Sequence, residues 1–305
     1  MSSKIRVGVI GCTLSTKNII SFLCKKNNVD LIGLITLDSS VSDQKARYTR
    51  IDNNDFSTHF DIVPVLNLHD YSLEEKLLSW NLDILVEIGW SHKIPKSILM
   101  APKFGTVGIH NSLLPAYQGG ASLNWALIKD SSSWGCTLFY LEENIDAGEI
   151  IFQESFDITD EDDINSLFLK SDKATLNMID SFLPLIKDNL GPRIKQDPKK
   201  VTKTPKRTPK DSAIEWSSDN RSIFNLVRAM KRPYPCAFSF LNDKKVFINN
   251  AATIDGSEAE AGIITDILSS GFIVSTGSGS ILLSEVEYED GRLFIPKIGD
   301  RFNEQ

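Results

Sequence analysis

A histidine and an aspartate, each set in a short polar turn, are the residues of this chain best suited to covalent chemistry. His110 lies in Gly108-Ile109-His110-Asn111-Ser112-Leu113-Leu114-Pro115, and Asp146 lies in Ile145-Asp146-Ala147-Gly148. A neutral imidazole accepts a proton from an attacking amine, and a charged one stabilises an oxyanion. A carboxylate beside it orients the ring. Together they are the minimal equipment for acyl transfer to an amine. For His59, His69 and His92 a surface or core role is the simpler reading.

Strands must hold such a pair. Residues 5–11 are an apolar run ending in glycine, a helical pattern follows through Ile19, Ile20, Phe22 and Leu23, and 30–37 is a second apolar run. This strand, helix, strand order predicts a parallel sheet covered by helices, an α/β fold. Residues 63–65 and 83–88 read as further strands. Between them 72–78 reads as a helix, with Ser72 as N-cap and Glu75 three residues on. Residues 106–109 form a buried strand that delivers His110 at its carboxyl end, where open α/β sheets bind ligands. The next strand, 135–141, ends just before Asp146, so the pair is expected at neighbouring strand ends. Residues 160–186 read as one long helix, with Ile164, Leu167, Leu169, Leu176, Ile179, Phe182 and Leu183 as its apolar face.

The net charge of -7 disfavours nucleic acid as the default partner. Residues 193–210 differ in kind, with eight Lys or Arg against one Asp and three prolines. Such a segment buries no core and reads as a linker or extended strap. A solvated linker is the better reading, and phosphate contact the alternative. Beyond it come a helix at 222–230 and short runs at 237–240, 245–248, 262–267, 272–275 and 281–286, which suggest a small antiparallel barrel. The expected domains are therefore 1–190, a basic linker at 191–210, and 211–305. Four scattered cysteines without a C-x-x-C pair argue against zinc or disulfides and for a reducing cytosol. No apolar run reaches the roughly 18 residues of a membrane span. A soluble cytoplasmic protein is expected.

Gly8-x-x-Gly11 falls short of a dinucleotide fingerprint and reads better as a tight strand-to-helix turn. Gly119 and Gly120 let backbone approach a ligand or simply form a loop. Trp90 is either a packing residue or the wall of an aromatic-ligand pocket.

The blocks LVEIGW at 85–90, TVGIHNSLLP at 106–115, GGASLNWALI at 119–128 and GCTLFYLEENIDAGEII at 135–151 resemble, in order, the N10-formyltetrahydrofolate-dependent formyltransferases, the methionyl-tRNA formyltransferase-like family. Beyond the linker, DSAIEW at 211–216 and NLVRAMKRPYPCAF at 225–238 resemble that family's carboxyl-terminal domain. The block Arg232-Pro233-Tyr234-Pro235 is most similar to the formyltransferase domain of the lipid A aminoarabinose-modification enzyme.

The resemblance implies a Rossmann-like catalytic domain followed by an OB-like barrel, with N10-formyltetrahydrofolate as co-substrate and no metal. The donor would lie beside Ile88, Gly89, Trp90 and Ile94, with Glu143 and Asn144 near its pterin end. His110 would sit at the reaction centre and Asp146 would support it. Asn111, Ser112, Tyr117 and Gln118 would face the acceptor.

Two residues depart from the family. Gly108 stands where an asparagine usually stabilises the oxyanion, and losing one such donor costs on the order of 10²–10³ in rate. Asn111 and Asn124 are the candidate substitutes. Gln118 stands where many relatives carry an arginine. The first expectation for the acceptor is a nucleotide-linked amino sugar, as in surface polysaccharide (O-antigen) biosynthesis. The alternatives are initiator methionyl-tRNA, hydrolysis of the folate, and a silent binding protein that kept the fold. Against tRNA, residues 38–55 set Lys45, Arg47 and Arg50 against Asp38, Asp43, Asp52 and Asp55, and so add little phosphate affinity. No membrane partner is expected, and a homodimer is left open.

Overall fold

Strands β1 (Ile5–Ile10) and β2 (Val29–Leu37) are apolar almost throughout, and both are largely buried, as strands covered on two faces must be. Helix α1 (Leu14–Leu23) connects them and buries Ile19, Ile20 and Leu23. The computed structural model describes residues 4–44, 47–69, 71–90, 92–256 and 259–303. The remaining sheet strands are β3 (Asp61–Val65), β4 (Ile84–Glu87), β5 (Thr106–His110), β6 (Ser133–Tyr140) and β7 (Ile150–Asp157). The sheet runs β3-β2-β1-β4-β5-β6-β7. The pairs from β3 to β5 are parallel, and β6 turns antiparallel to β5.

Helices α2 (Tyr71–Trp80) and α3 (Lys96–Met100) precede β4 and β5. Helix α2 already includes Ser72, which is therefore not its N-cap; Asp70, just before it, lies outside the described residues. Helix α4 (Ser122–Ile128) precedes β6. Helix α5 (Ile164–Ile186) starts later than expected, because the Asp163 carboxylate accepts the Asn165 and Ser166 N–H groups at 2.9 and 3.0 Å. Aspartate serves better as a cap than inside a helix. Leu169, expected on its apolar face, is 64% exposed.

A second sheet is wholly antiparallel, in the order β10-β11-β12-β9-β8, where β8 is Ala237–Leu241, β9 Lys244–Ile254, β10 Ile264–Leu268, β11 Gly271–Ser275 and β12 Ser280–Tyr288. Its core holds Trp216 stacked on Phe302 at 5.1 Å and Phe272 against Phe294 at 5.2 Å. Helix α6 (Asn220–Ala229) packs with it, capped by Asp219.

The chain forms two compact units, and their boundaries differ from the expected ones. One comprises 1–119, 134–157 and 168–204; the other comprises 120–133, 158–167 and 205–305. Polar bonds tie two early segments to the second unit, one set partly solvated and one buried. Arg221 holds Asp130 and Asp160 at 2.6 Å each, and buried Arg228 donates to the carbonyls of Thr159 and Asp162 at 2.8 and 3.2 Å. The first part of the expected linker belongs instead to the first unit. There Ile194 and Ile150 exchange backbone hydrogen bonds of 2.8 and 3.0 Å. No described helix is long and apolar enough to cross a membrane.

Candidate active site

Strand β5 ends at His110, as the sequence predicts. The route to Asp146 is different. Since β6 is antiparallel, with His110 opposite Thr137 and Val107 opposite Tyr140, the end of β6 lies beside the start of β5. The two residues do not leave neighbouring strand ends. The loop after β6 folds back to bring Asp146 Oδ1 within 3.5 Å of His110 Nδ1, with the side chains only 13% and 10% exposed. His110 Nε2 lies 2.9 Å from the Tyr117 carbonyl oxygen. A carbonyl only accepts, so Nε2 donates here, and Nδ1 facing the carboxylate is the nitrogen left to exchange a proton.

Asp146 has a left-handed backbone, φ +57°. That conformation costs a non-glycine residue about 1–3 kcal/mol and persists only where surroundings enforce it. They do so at three points. Asp146 Oδ2 accepts the Gly119 N–H at 2.8 Å, and its carbonyl accepts Gln196 Nε2 at 2.7 Å and Gln118 Nε2 at 3.1 Å. Gln118, expected to meet the acceptor, thus spends its amide on the Asp146 loop. The basic segment is no free linker either. Thr202 accepts the Gln118 N–H at its carbonyl (2.9 Å) and the Tyr117 N–H at its hydroxyl (2.8 Å). Lys195, Lys199, Lys200 and Lys203 on the same segment are exposed.

Sequence reasoning missed Gln196, Thr202 and Glu87. Thr202 and Thr204 sit two apart, a spacing that puts both on one side of an extended chain; that was the available signal for the strap. Glu87 lies opposite Gly108 in the β4–β5 register. A Cβ on Gly108 would lie 2.9 Å from Glu87 Oε2 and 2.7 Å from Leu141 Cδ2. Glu87 Oε1 accepts the Trp90 N–H at 2.8 Å.

Both expected substitutes for an amide at 108 are held by the protein. The Asn111 side-chain oxygen accepts the Ser171 hydroxyl at 2.6 Å, and buried Asn124 donates to the Ala229 carbonyl at 2.7 Å inside the second unit. Ser112 is fully buried, and its hydroxyl donates to the Ala116 carbonyl at 2.6 Å within the same loop. Tyr117 packs on Trp134, with ring centroids 4.6 Å apart.

Around the expected donor site, Ile88 and Ile94 are buried and Trp90 is half-buried, its ring edge-on to His92 at 5.8 Å. Gly89 needs its φ of +74°, and a Cβ there would meet Thr13 Oγ1 at 2.1 Å. Lys96 pairs with Glu143 at 3.3 Å, tying α3 to the loop of Asn144 and Asp146. The Gly8-x-x-Gly11 turn is filled by protein: a Cβ on Gly11 would lie 2.0 Å from the Ile88 carbonyl, which accepts the Thr16 hydroxyl at 2.7 Å. Burial pushes the Cys136 thiol up to about 12, which removes it as a nucleophile. Among the described residues no cluster of His, Cys, Asp and Glu could hold a metal ion.

The formyl transferase family matches residues 4–180, and the formyl transferase C-terminal domain matches residues 206–295. The chain belongs to the formyl transferase family. Members of the family are enzymes that transfer formyl groups, so in this formyl transferase the His110–Asp146 pair stands in an enzyme fold. Over 250 residues it is 31% identical to the methionyl-tRNA formyltransferase of Fusobacterium nucleatum, covering 81% of this chain and 80% of that one. The N-formyltransferase of Helicobacter canadensis, solved with folinic acid and dTDP-3-aminofucose, superposes with a TM-score of 0.68 at 16% identity, covering 93% of this chain and 100% of that one. HypX of Aquifex aeolicus, solved with tetrahydrofolic acid, also gives 0.68 at 16% identity, but this formyl transferase covers 94% of itself and only 45% of HypX. At such identities the solved structures share the fold.

Proposed function

We propose that this formyl transferase moves a formyl group from N10-formyltetrahydrofolate to the amine of a nucleotide-linked amino sugar. The observation that carries the choice of acceptor is the state of the cations around residues 38–55. The Arg47 guanidinium lies 3.1 Å from the Phe168 ring centroid, Arg50 pairs with Asp52 at 2.9 Å, and Lys17 pairs with Asp55 at 2.8 Å. Lys45 and the Asp43 side chain lie outside the described residues. A segment whose described cations are already engaged offers little to an RNA backbone, whose binding is dominated by phosphate contacts. A small acceptor asks nothing of it.

The residues at the donor site suit a flat heteroaromatic ring: Ile88, Trp90 and Ile94 offer apolar surface, and the loop of Glu143 and Asn144 offers polar groups to its edge. When bound, the donor supplies an activated formyl carbon. His110 takes the proton of the attacking amine on Nδ1 and returns it to the departing folate nitrogen, so that tetrahydrofolate leaves, and Asp146 stabilises the imidazolium in between.

A second reading, methionyl-tRNA as acceptor, is favoured by exposed Lys195, Lys199, Lys200 and Lys203 on the strap and by the Fusobacterium relative. The deciding experiment incubates the protein and N10-formyltetrahydrofolate with a panel of amino-sugar nucleotides, with charged initiator tRNA, and with no acceptor. A formylated sugar detected by mass spectrometry supports the proposal. Formylation of the tRNA alone overturns it, as does tetrahydrofolate release at one rate whatever acceptor is added, which is hydrolysis.

A further inference from the structure

Residues 194–204 bond to both loops that hold the His110–Asp146 pair. At one end Gln196 Nε2 donates to the carbonyls of Asp146 (2.7 Å) and Gly148 (2.8 Å). At the other, Thr202 accepts from the Tyr117 and Gln118 N–H groups at 2.8 and 2.9 Å, and Thr204 N–H donates to the Gln118 carbonyl at 2.8 Å. That same short loop carries the Tyr117 carbonyl facing His110 Nε2 and the Gly119 N–H facing Asp146 Oδ2. One extended segment therefore fixes an acceptor for the imidazole, a donor for the carboxylate, and the carbonyl of the left-handed aspartate.

The chemistry of the contacts requires an amide at 196. A primary amide nitrogen carries two hydrogens. Those of Gln196 go to Asp146 and Gly148. Those of Gln118 go to the Asp146 carbonyl and to Gln196 Oε1, the latter at 3.2 Å. Both amide nitrogens are fully used. A glutamate at 196 would set acceptor oxygens against two carbonyls.

We infer that residues 194–204 are a clamp that sets the geometry of the His110–Asp146 pair, and that Gln196 is its positioning residue. This rests on the reading that the pair performs the transfer. Gln196 touches no reacting atom. It acts through Asp146.

The test uses the full chain and two readouts. The first is steady-state kinetics of Gln196→Glu with whichever acceptor is turned over. A drop in kcat of roughly 10–100-fold is expected, as for residues that orient catalytic groups, with the KM for the folate donor within about twofold of wild type. The second needs no acceptor. In protein labelled with ¹⁵N-histidine, long-range ¹H–¹⁵N spectra report which ring nitrogen carries hydrogen, and the His110 signals are identified by their loss in His110→Gln. Gln196→Glu should move the His110 signals and leave those of His59, His69 and His92 in place. Should Gln196→Glu fail to fold, Thr202→Val should shift the same signals, while Thr202→Ser, which keeps the hydroxyl, should not. Wild-type His110 signals in Gln196→Glu, or in Thr202→Val where only that variant folds, overturn the inference. Shifted signals in a protein that formylates no acceptor uphold the clamp and refute the transfer reading instead.

Discussion

The Glu87 carboxylate fills the space that any side chain at Gly108 would have to enter. The two residues face one another across β4 and β5, with one Glu87 oxygen held by the Trp90 N–H and the other 2.9 Å from where a Cβ at 108 would stand. Glycine at 108 and glutamate at 87 are thus one feature. Gly108→Asn alone should destabilise the protein by about 1–3 kcal/mol through overpacking against Glu87 and Leu141. Adding Glu87→Ala should recover part of that loss, with a coupling of at least about 0.5 kcal/mol. Urea midpoints of the two single variants and the double would measure it. Strict additivity would mean that the carboxylate does not oppose a side chain at 108.

His110→Ala should lower kcat by about 10²–10⁴, the range for loss of a general base. Asp146→Asn should lower it less, because an amide keeps an oxygen for the Gly119 N–H at 2.8 Å while losing the charge. Tetrahydrofolate release at saturating donor reports both. Turnover of His110→Ala within about tenfold of wild type would remove the base role.

Asp172 tests the first unit by pH. Burial holds its carboxyl above the usual range, while hydrogen bonds from Ser15 and Asn18 pull the other way. The folded state therefore binds this proton more tightly than the unfolded chain. Stability must fall as pH rises from about the unfolded carboxyl value of 3.9 through the higher folded one. Asp172→Asn, which can still accept from Asn18, should be more stable than wild type at pH 7. The difference should close near pH 3. Denaturant midpoints at both pH values would show it, and a variant less stable at pH 7 would reverse the sign.

Arg221 tests the second unit in the opposite direction. Its hydrogen bonds hold the carboxyls of Asp130 and Asp160 below the usual range. The stability this lends is present above the unfolded carboxyl value and is lost as pH falls through the lower folded ones. Arg221→Leu should cost no more than about 1 kcal/mol at neutral pH, because the pairs are partly solvated. It should also flatten the loss of thermal stability below about pH 4. An acid limb as steep as in wild type would contradict this.

The sequence shows some of this molecule plainly and hides the rest for physical reasons. Strands β1, β2 and β5 stand out because burial on two faces demands unbroken apolar runs. The short strands β8 to β12 stand out because turn residues punctuate them. The direction of β6 does not, since an apolar strand reads the same parallel or antiparallel, and with it went the true route from His110 to Asp146. Strand β7 carries a period-two signal, with half-buried Phe152, Glu154 and Phe156 alternating with exposed Gln153, Ser155 and Asp157. The strap is hidden because a segment bound by backbone groups, one glutamine and two threonines needs no apolar pattern. The opposition of Glu87 and Gly108 is a matter of strand register, which no local window contains.

The interleaving of the two units bears on how the polypeptide is made. The chain passes from one unit to the other five times. A ribosome that has released residues 120–133 has yet to make residues 205–305, the bulk of the unit to which that segment belongs. Helix α4, with Leu123, Ala126 and Leu127 buried in the finished protein, must wait with its apolar side uncovered until α6 arrives nearly 100 residues later. Domains usually complete in order during synthesis. Here the amino-terminal half cannot finish first, and the nascent chain is most exposed to chaperones and to aggregation over that interval.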